Sequence, residues 1–246
     1  MKRKSDWLFV VLGLVLTCFY SCRPEPLPIL DSGAVVVKFI PVMNGEVVEF
    51  NRGTVHQLDG REVTFDEFRF YIANVALEEE NQELIDLTDI RLIDFESLQS
   101  SSFKINNLPL GTYNKIQFDL GVPPEENVSE WDPNLYGGEH PLNNRAMYFQ
   151  EVESYKFIDL VGFVDDGGSP NIFTYNPGDN LIFQKRRTIL NRFNLTTDIF
   201  TIEVELDMAM FLRDVDLIEE PKIQESNNLT LGRKLMQNLK SAFSGI

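Results

Sequence analysis

Residues 146–178 read AMYFQEVESYKFIDLVGFVDDGGSPNIFTYNPG. Two apolar, aromatic runs, 154–164 and 172–175, flank Asp165, Asp166, Gly167 and Gly168, a composition that closes a pair of strands. The pattern predicts a β-hairpin. The paired carboxylates are also calcium-type oxygen donors, but a tight turn needs the same residues and is the reading adopted. Just upstream, Met147, Tyr148 and Phe149 adjoin a segment rich in Gly, Pro and Asn, so the hairpin is expected to hold an aromatic cluster against a long irregular loop.

That loop, residues 121–145, contains Pro123, Pro124, Pro133, Gly137, Gly138 and Pro141. Long connections inside a compact domain are often functional, and Trp131, Leu135 and Tyr136 favour an ordered one. Trp131, Tyr136 and Tyr148 together form a candidate interaction surface. His140 lies in the same loop, within chain reach of Met147.

Outside this stretch the pattern is mostly strand. Residues 34–42 are β-branched and apolar, end near an Asn44-Gly45 turn, and have 46–50 as a returning partner. Residues 63–77 form a long strand with a bulge expected near Glu67. The acidic stretch 78–89 reads as an exposed connection. Leu92 and Phe95 mark a short strand, and Phe103 and Ile105 another. Ile116, Phe118 and Leu120 then alternate with Lys115, Gln117 and Asp119, which predicts one buried and one wet face. Past the hairpin, 181–183 and 188–193 are short strand candidates around Lys185, Arg186 and Arg187, 200–206 alternates again, and 208–212 turns helical. From Thr230, taken as the N-cap, Leu231, Leu235, Met236, Leu239 and Phe243 recur at helical spacing. Roughly eight strands and a final helix predict an all-β, immunoglobulin-like Greek-key β-sandwich with a C-terminal helix, spanning 34–246.

The first 22 residues read as a processing signal. Lys2, Arg3 and Lys4 precede an apolar run, 7–20, shorter than the ~20 residues of a spanning helix. The run ends in Ser21-Cys22, a small residue before a cysteine, which resembles a bacterial lipobox with Cys22 as the lipidated mature terminus. Cys18, preceded by the larger Thr17, is the rival. Residues 23–33 carry three prolines between 23 and 28 and suit an extended tether from the lipid anchor. The protein is thus expected on the bacterial cell envelope, held to the membrane by lipid, facing the periplasm or the cell surface.

The chain has two cysteines, both within the first 22 residues, so the folded domain has no disulfide framework, thiolate metal site or cysteine nucleophile. Removing residues 1–22 leaves 19 basic against 37 acidic side chains, or −18. Such a surface repels polyanions, and nucleic-acid binding is excluded as a function class. Nucleophile-elbow, P-loop, dinucleotide and zincin motifs are missing, so no enzymatic activity is expected.

Several segments together resemble the MbnP-like family of extracytoplasmic copper-binding proteins. Phe68-Arg69-Phe70-Tyr71-Ile72-Ala73-Asn74 is similar to the family's early tyrosine-rich strand, and Leu92-Ile93-Asp94 follows at the expected place. Gly111-Thr112-Tyr113 with Ile116, Phe118 and Gly121-Val122 resembles its G-x-Y…F…G-V segment, and Asn127 falls where an asparagine is usual. Met147, Tyr155, Phe173-Thr174-Tyr175, Met236-Gln237-Asn238 and Ala242-Phe243 also keep its spacing.

The resemblance implies a β-sandwich that binds copper through histidines near a tryptophan, which a di-haem redox partner oxidises. Neutral imidazole suits copper. Here, however, Phe149 stands at the tryptophan position, Glu151 at the segment's second aromatic, and Asn176 at the histidine after Phe-x-Tyr. The inherited site is expected to be degenerate, leaving His140 and Met147 as the candidate metal ligands, with His56 the chain's other histidine. The alternative is a metal-free envelope module that binds a protein or glycan through the 131–148 loop surface.

Overall fold

The computed structural model describes residues 32–245 except 88–89, 98, 129–131, 197–198 and 226–227, so Cys22 and Trp131 lie outside the described residues. Its backbone is an all-β sandwich closed by a C-terminal helix, as the alternation predicts. One sheet holds β1 (Ser32–Met43), β2 (Glu46–Val47), β7 (Ser102–Pro109), β14 (Ile199–Asp207) and β16 (Phe243–Gly245). The larger sheet holds β3 (His56–Leu58), β4 (Arg61–Glu79), β5 (Leu84–Asp86), β6 (Arg91–Asp94), β8 (Gly111–Leu120), β11 (Ile158–Asp165), β12 (Asn171–Pro177), β13 (Gln184–Leu195) and β15 (Lys222–Glu225). A separate ribbon pairs β9 (Tyr148–Phe149) with β10 (Ser154–Tyr155). Two helices follow β14: a single turn, α1 (Met208–Phe211), and α2 (Leu229–Ala242). Among the described residues no helix is long and apolar enough to cross a membrane.

The spine is β4, which pairs with β3, β5, β6, β8 and β11. Its neighbours Phe70, Tyr71, Ile72 and Ala73 are all buried, so both faces of the strand are covered at that point. Inward, Phe70 meets Phe39 of β1 at 5.8 Å and Phe243 of β16 at 5.7 Å, and Phe118 of β8 meets Phe243 at 5.4 Å. This phenylalanine cluster joins the two sheets. Outward, Tyr71 faces the loop that precedes β9.

The bulge expected near Glu67 is present. Val161 of β11 pairs with Glu67 and Gly162 with Phe65, leaving Asp66 as the extra residue. The Asp-Gly turn also forms as expected, with Asp165 Oδ1 accepting from the N–H of Gly167 and Gly168.

Other expectations are corrected. Asp119 is not on a wet face: it is 8% exposed, and its carboxylate accepts from Asn74 Nδ2 at 2.9 Å and from the Arg186 N–H at 2.7 Å. Both donors sit at left-handed φ, 51° each, where β4 and β13 shift register against β8. One buried carboxylate therefore holds the bulges of both neighbouring strands. That explains why Lys185, Arg186 and Arg187, read as a break between short strands, lie inside the continuous β13. Residues 181–183 are not a strand: Asn180–Ile182 is a 3-10 turn capped by Asp179. The acidic stretch 78–89 is not all connection, since β4 runs to Glu79 and β5 pairs back onto it. The N-cap of α2 is Asn228, whose side chain accepts from the Leu231 N–H at 3.0 Å, rather than Thr230.

Candidate functional site

The outer face of β4 carries a second aromatic cluster. Tyr71 and Tyr155 meet edge to face at 6.1 Å, and Tyr148 meets Tyr155 at 4.9 Å. Both buried hydroxyls donate into the loop, Tyr71 to the Pro141 carbonyl at 3.1 Å and Tyr155 to the Leu142 carbonyl at 3.0 Å. Loop backbone buried without partners is costly, so these two bonds explain why so irregular a segment is held. Three 3-10 turns, Pro133–Leu135, Pro141–Asn143 and Arg145–Met147, follow along it, capped by Asp132, His140 and Asn144.

Asn127 is the hinge pin between this loop and the hairpin. Its Oδ1 accepts from the Tyr155 N–H at 2.8 Å, and its Nδ2 donates to Asn180 Oδ1 at 2.8 Å. Gly178 is required beside it, because a Cβ there would run into the Tyr155 carbonyl.

His140 is exposed. Its Nδ1 accepts from the Leu142 N–H at 3.2 Å, and its ring stacks on Tyr136 at 4.2 Å. Burial, followed by the charge of Glu126, pushes the half-buried Tyr136 hydroxyl up to about 12. Met147 is fully buried, and its carbonyl accepts from the Lys156 N–H at 2.9 Å. The structure thus brings His140 to Tyr136, whereas Met147 belongs to the core. Tyr148 is half-buried against Tyr155. His56 is also a core residue, 5% exposed against Phe65, with its Nε2 unbonded among the described residues.

Phe149 and Asn176 do meet, through two residues that the sequence did not single out. The Lys156 ammonium lies 5.3 Å from the centroid of the Phe149 ring and 3.4 Å from Asp159 Oδ2. Asn176 donates its side-chain N–H to the other oxygen of Asp159. Arg69 reaches the same carboxylate at 3.8 Å and binds Asp94 at 2.8 Å and Glu67 at 2.9 Å. Burial pushes the Asp159 carboxyl above its ordinary range, while Lys156 and then Arg69 pull it back. Burial works against the Arg69 charge as well, but its acidic neighbours outweigh it and the net direction is upward. A cleft of about 310 Å³, lined by Asp66, Glu67, Arg69 and Asp94, opens at the Arg69 end of this network.

The signal for this network was an aspartate in an otherwise apolar strand, Ile158-Asp159-Leu160-Val161-Gly162-Phe163. A buried acid there requires a partner. The donor set does not suit copper: a phenyl ring has no lone pair, the Asn176 amide offers only a carbonyl oxygen, a poor ligand for copper(I), and the neighbouring ammonium repels a cation. Among the described residues no group of three or more His, Cys, Asp or Glu side chains is placed to hold a metal ion. A further groove of about 540 Å³ lies elsewhere, lined by Phe39, Phe50, Phe95 and Ser101 among others, and holds none of the candidate site residues.

Comparison with known proteins is consistent with this architecture. The MbnP family model matches residues 32–228. Among solved structures, the chain is similar to MbnP from Methylosinus trichosporium, with a TM-score of 0.54 and 16% identity over 76% of this chain and 80% of that one, a likeness in fold. No curated protein matches.

Proposed function

The chain belongs to the MbnP family, and we propose that it serves as a lipid-anchored, extracytoplasmic, non-enzymatic member whose inherited copper site is degenerate. The observation that carries this reading is the Lys156–Asp159–Asn176 set beside Phe149: where copper handling would need lone-pair donors, the chain has an internal ion pair. Phenylalanine at 149 also removes the oxidisable ring that a di-haem partner would act on. What remains for function is binding of a protein or glycan by the loop face. Leu135 is 65% exposed, Tyr136 and Tyr148 are half-buried, and the loop is fastened firmly enough to present them.

The test is a copper(I) titration of the domain lacking residues 1–22, in competition with a chromophoric chelator, alongside His140→Ala. The expected result is binding no stronger than to any acidic surface, unchanged in the variant. One tight equivalent lost with His140 would return the protein to copper handling. Anchoring is tested separately by metabolic labelling with a fatty-acid analogue, which should label the full chain and not Cys22→Ala; equal labelling of the two, or none of wild type, would overturn the lipid assignment.

A further inference from the structure

We propose that the Lys156 ammonium is the resident cation of this site, an intramolecular substitute for a metal ion that clamps the β9–β10 ribbon onto β11 and β12. The inference rests on the reading of the copper site as degenerate and says what has taken its place. The ammonium touches Phe149 of β9 and Asp159 of β11, and Asn176 of β12 joins the set by donating to the other oxygen of Asp159. Each supplies what a bound cation needs. The ring offers the negative face of its π-system, Asp159 the counter-charge, and Asn176 a fixed hydrogen bond that keeps the carboxylate from turning away.

Asp159 makes the ammonium necessary. Its residue is 5% exposed, and a carboxylate so placed is stable only when paired. Arg69 cannot do this alone, since it stands farther off at 3.8 Å and is held closer to Asp94 and Glu67. Lys156 reaches Oδ2 at 3.4 Å from a backbone already pinned, its own N–H on the Met147 carbonyl and the next residue's on Pro177. Little further ordering is needed to place its charge. The lysine side chain is 17% exposed and that of Asp159 7%, so the pair is screened far less than a surface ion pair. A site that carries its cation on its own chain needs no metal supply to close.

The experiment compares the melting temperatures of wild type, Lys156→Met, Lys156→Ala, Asp159→Asn and the Lys156→Met, Asp159→Asn double variant, all lacking residues 1–22. Methionine keeps the bulk of the stem and removes the charge. We expect Lys156→Met to melt about 5–10 °C lower than wild type. The double variant should recover part of that loss, which is the signature of coupling. Propylammonium at millimolar concentration should raise the melting temperature of Lys156→Ala and leave wild type unchanged, while sodium at equal ionic strength should do neither. If Lys156→Ala does not fold, the methionine and double variants decide the matter. A Lys156→Met protein that melts within a degree of wild type, or single losses that simply add, would overturn the proposal while leaving the degenerate copper site standing. Tight copper binding by wild type would sink that reading whatever the melting temperatures show.

Discussion

Two aromatic regions lie back to back on β4 and differ by little more than one oxygen per ring. Between the sheets, Phe39, Phe70, Phe118 and Phe243 pack with centroids 5.4 to 5.9 Å apart and have nothing to bond. On the outer face Tyr71 and Tyr155 take their place, and the hydroxyl of each finishes on a backbone carbonyl outside the strand that carries it. Tyr71 reaches Pro141 and Tyr155 reaches Leu142. The same habit recurs at Tyr113, on Pro109 at 2.7 Å, and at Tyr175, on Glu220 at 2.9 Å. Phenylalanine fills and tyrosine fastens. The sandwich is therefore held together by apolar area, and its loops by directed bonds.

The comparison breaks most readily at Phe39, which touches rings from both sheets. Phe39→Ala should cost about 3–5 kcal/mol in a urea unfolding experiment, because the rings around it belong to different strands and cannot all collapse into the space. A loss below about 1 kcal/mol would mean that the phenylalanine cluster is not what joins the sheets.

Alkaline pH should separate the two regions next. Burial, the leading cause in each case, raises the hydroxyls of Tyr71, Tyr155 and Tyr175 well above their ordinary range and that of Tyr136 to about 12. Stability from these groups is fully present below about pH 10, where unfolded tyrosines begin to ionise, and declines as pH rises toward the folded values. Urea midpoints should therefore be flat from neutral pH to about 10 and fall beyond it. Replacing Tyr155 and Tyr71 by phenylalanine should make that fall shallower, and an unchanged slope would show that other groups drive it.

The smallest effect sharpens the contrast. Tyr155→Phe keeps the ring and removes the oxygen, leaving the Leu142 carbonyl without that partner. It should cost about 1–2 kcal/mol, with hydrogen exchange speeding up in the 141–147 loop before the sandwich itself opens. Exchange that quickened equally in β1 and β8 would deny tyrosine its separate role.

Where local chemistry decides structure, the sequence could be read. Asp165 through Gly168 make a hairpin turn because their own side chains and backbone satisfy it, and Ile202, Val204 and Leu206 bury one face because strand period fixes their direction. Where a distant group decides, reading failed. The β13 bulge at Arg186 depends on Asp119 of β8, so the basic triplet looked like a break. Asn228 rather than Thr230 caps α2, because two polar residues so close together compete and packing of Leu231, Leu235 and Leu239 sets the helix phase. Phe243, placed on the helix face by spacing, begins β16 and pairs with Leu206.

The candidate site shows the same division. Residue identities alone put Phe149 and Asn176 where the family resemblance calls for tryptophan and histidine, and they confined both cysteines to the first 22 residues. Those facts belong to the chain in any conformation. That Lys156 seats between Phe149 and Asp159, that Arg69 joins from the neighbouring strand, and that Tyr71 and Tyr155 meet the loop carbonyls were decided by tertiary structure. Side-chain period tells which face a residue takes; strand register decides whom it meets there, and register is set by the packing of the whole sandwich.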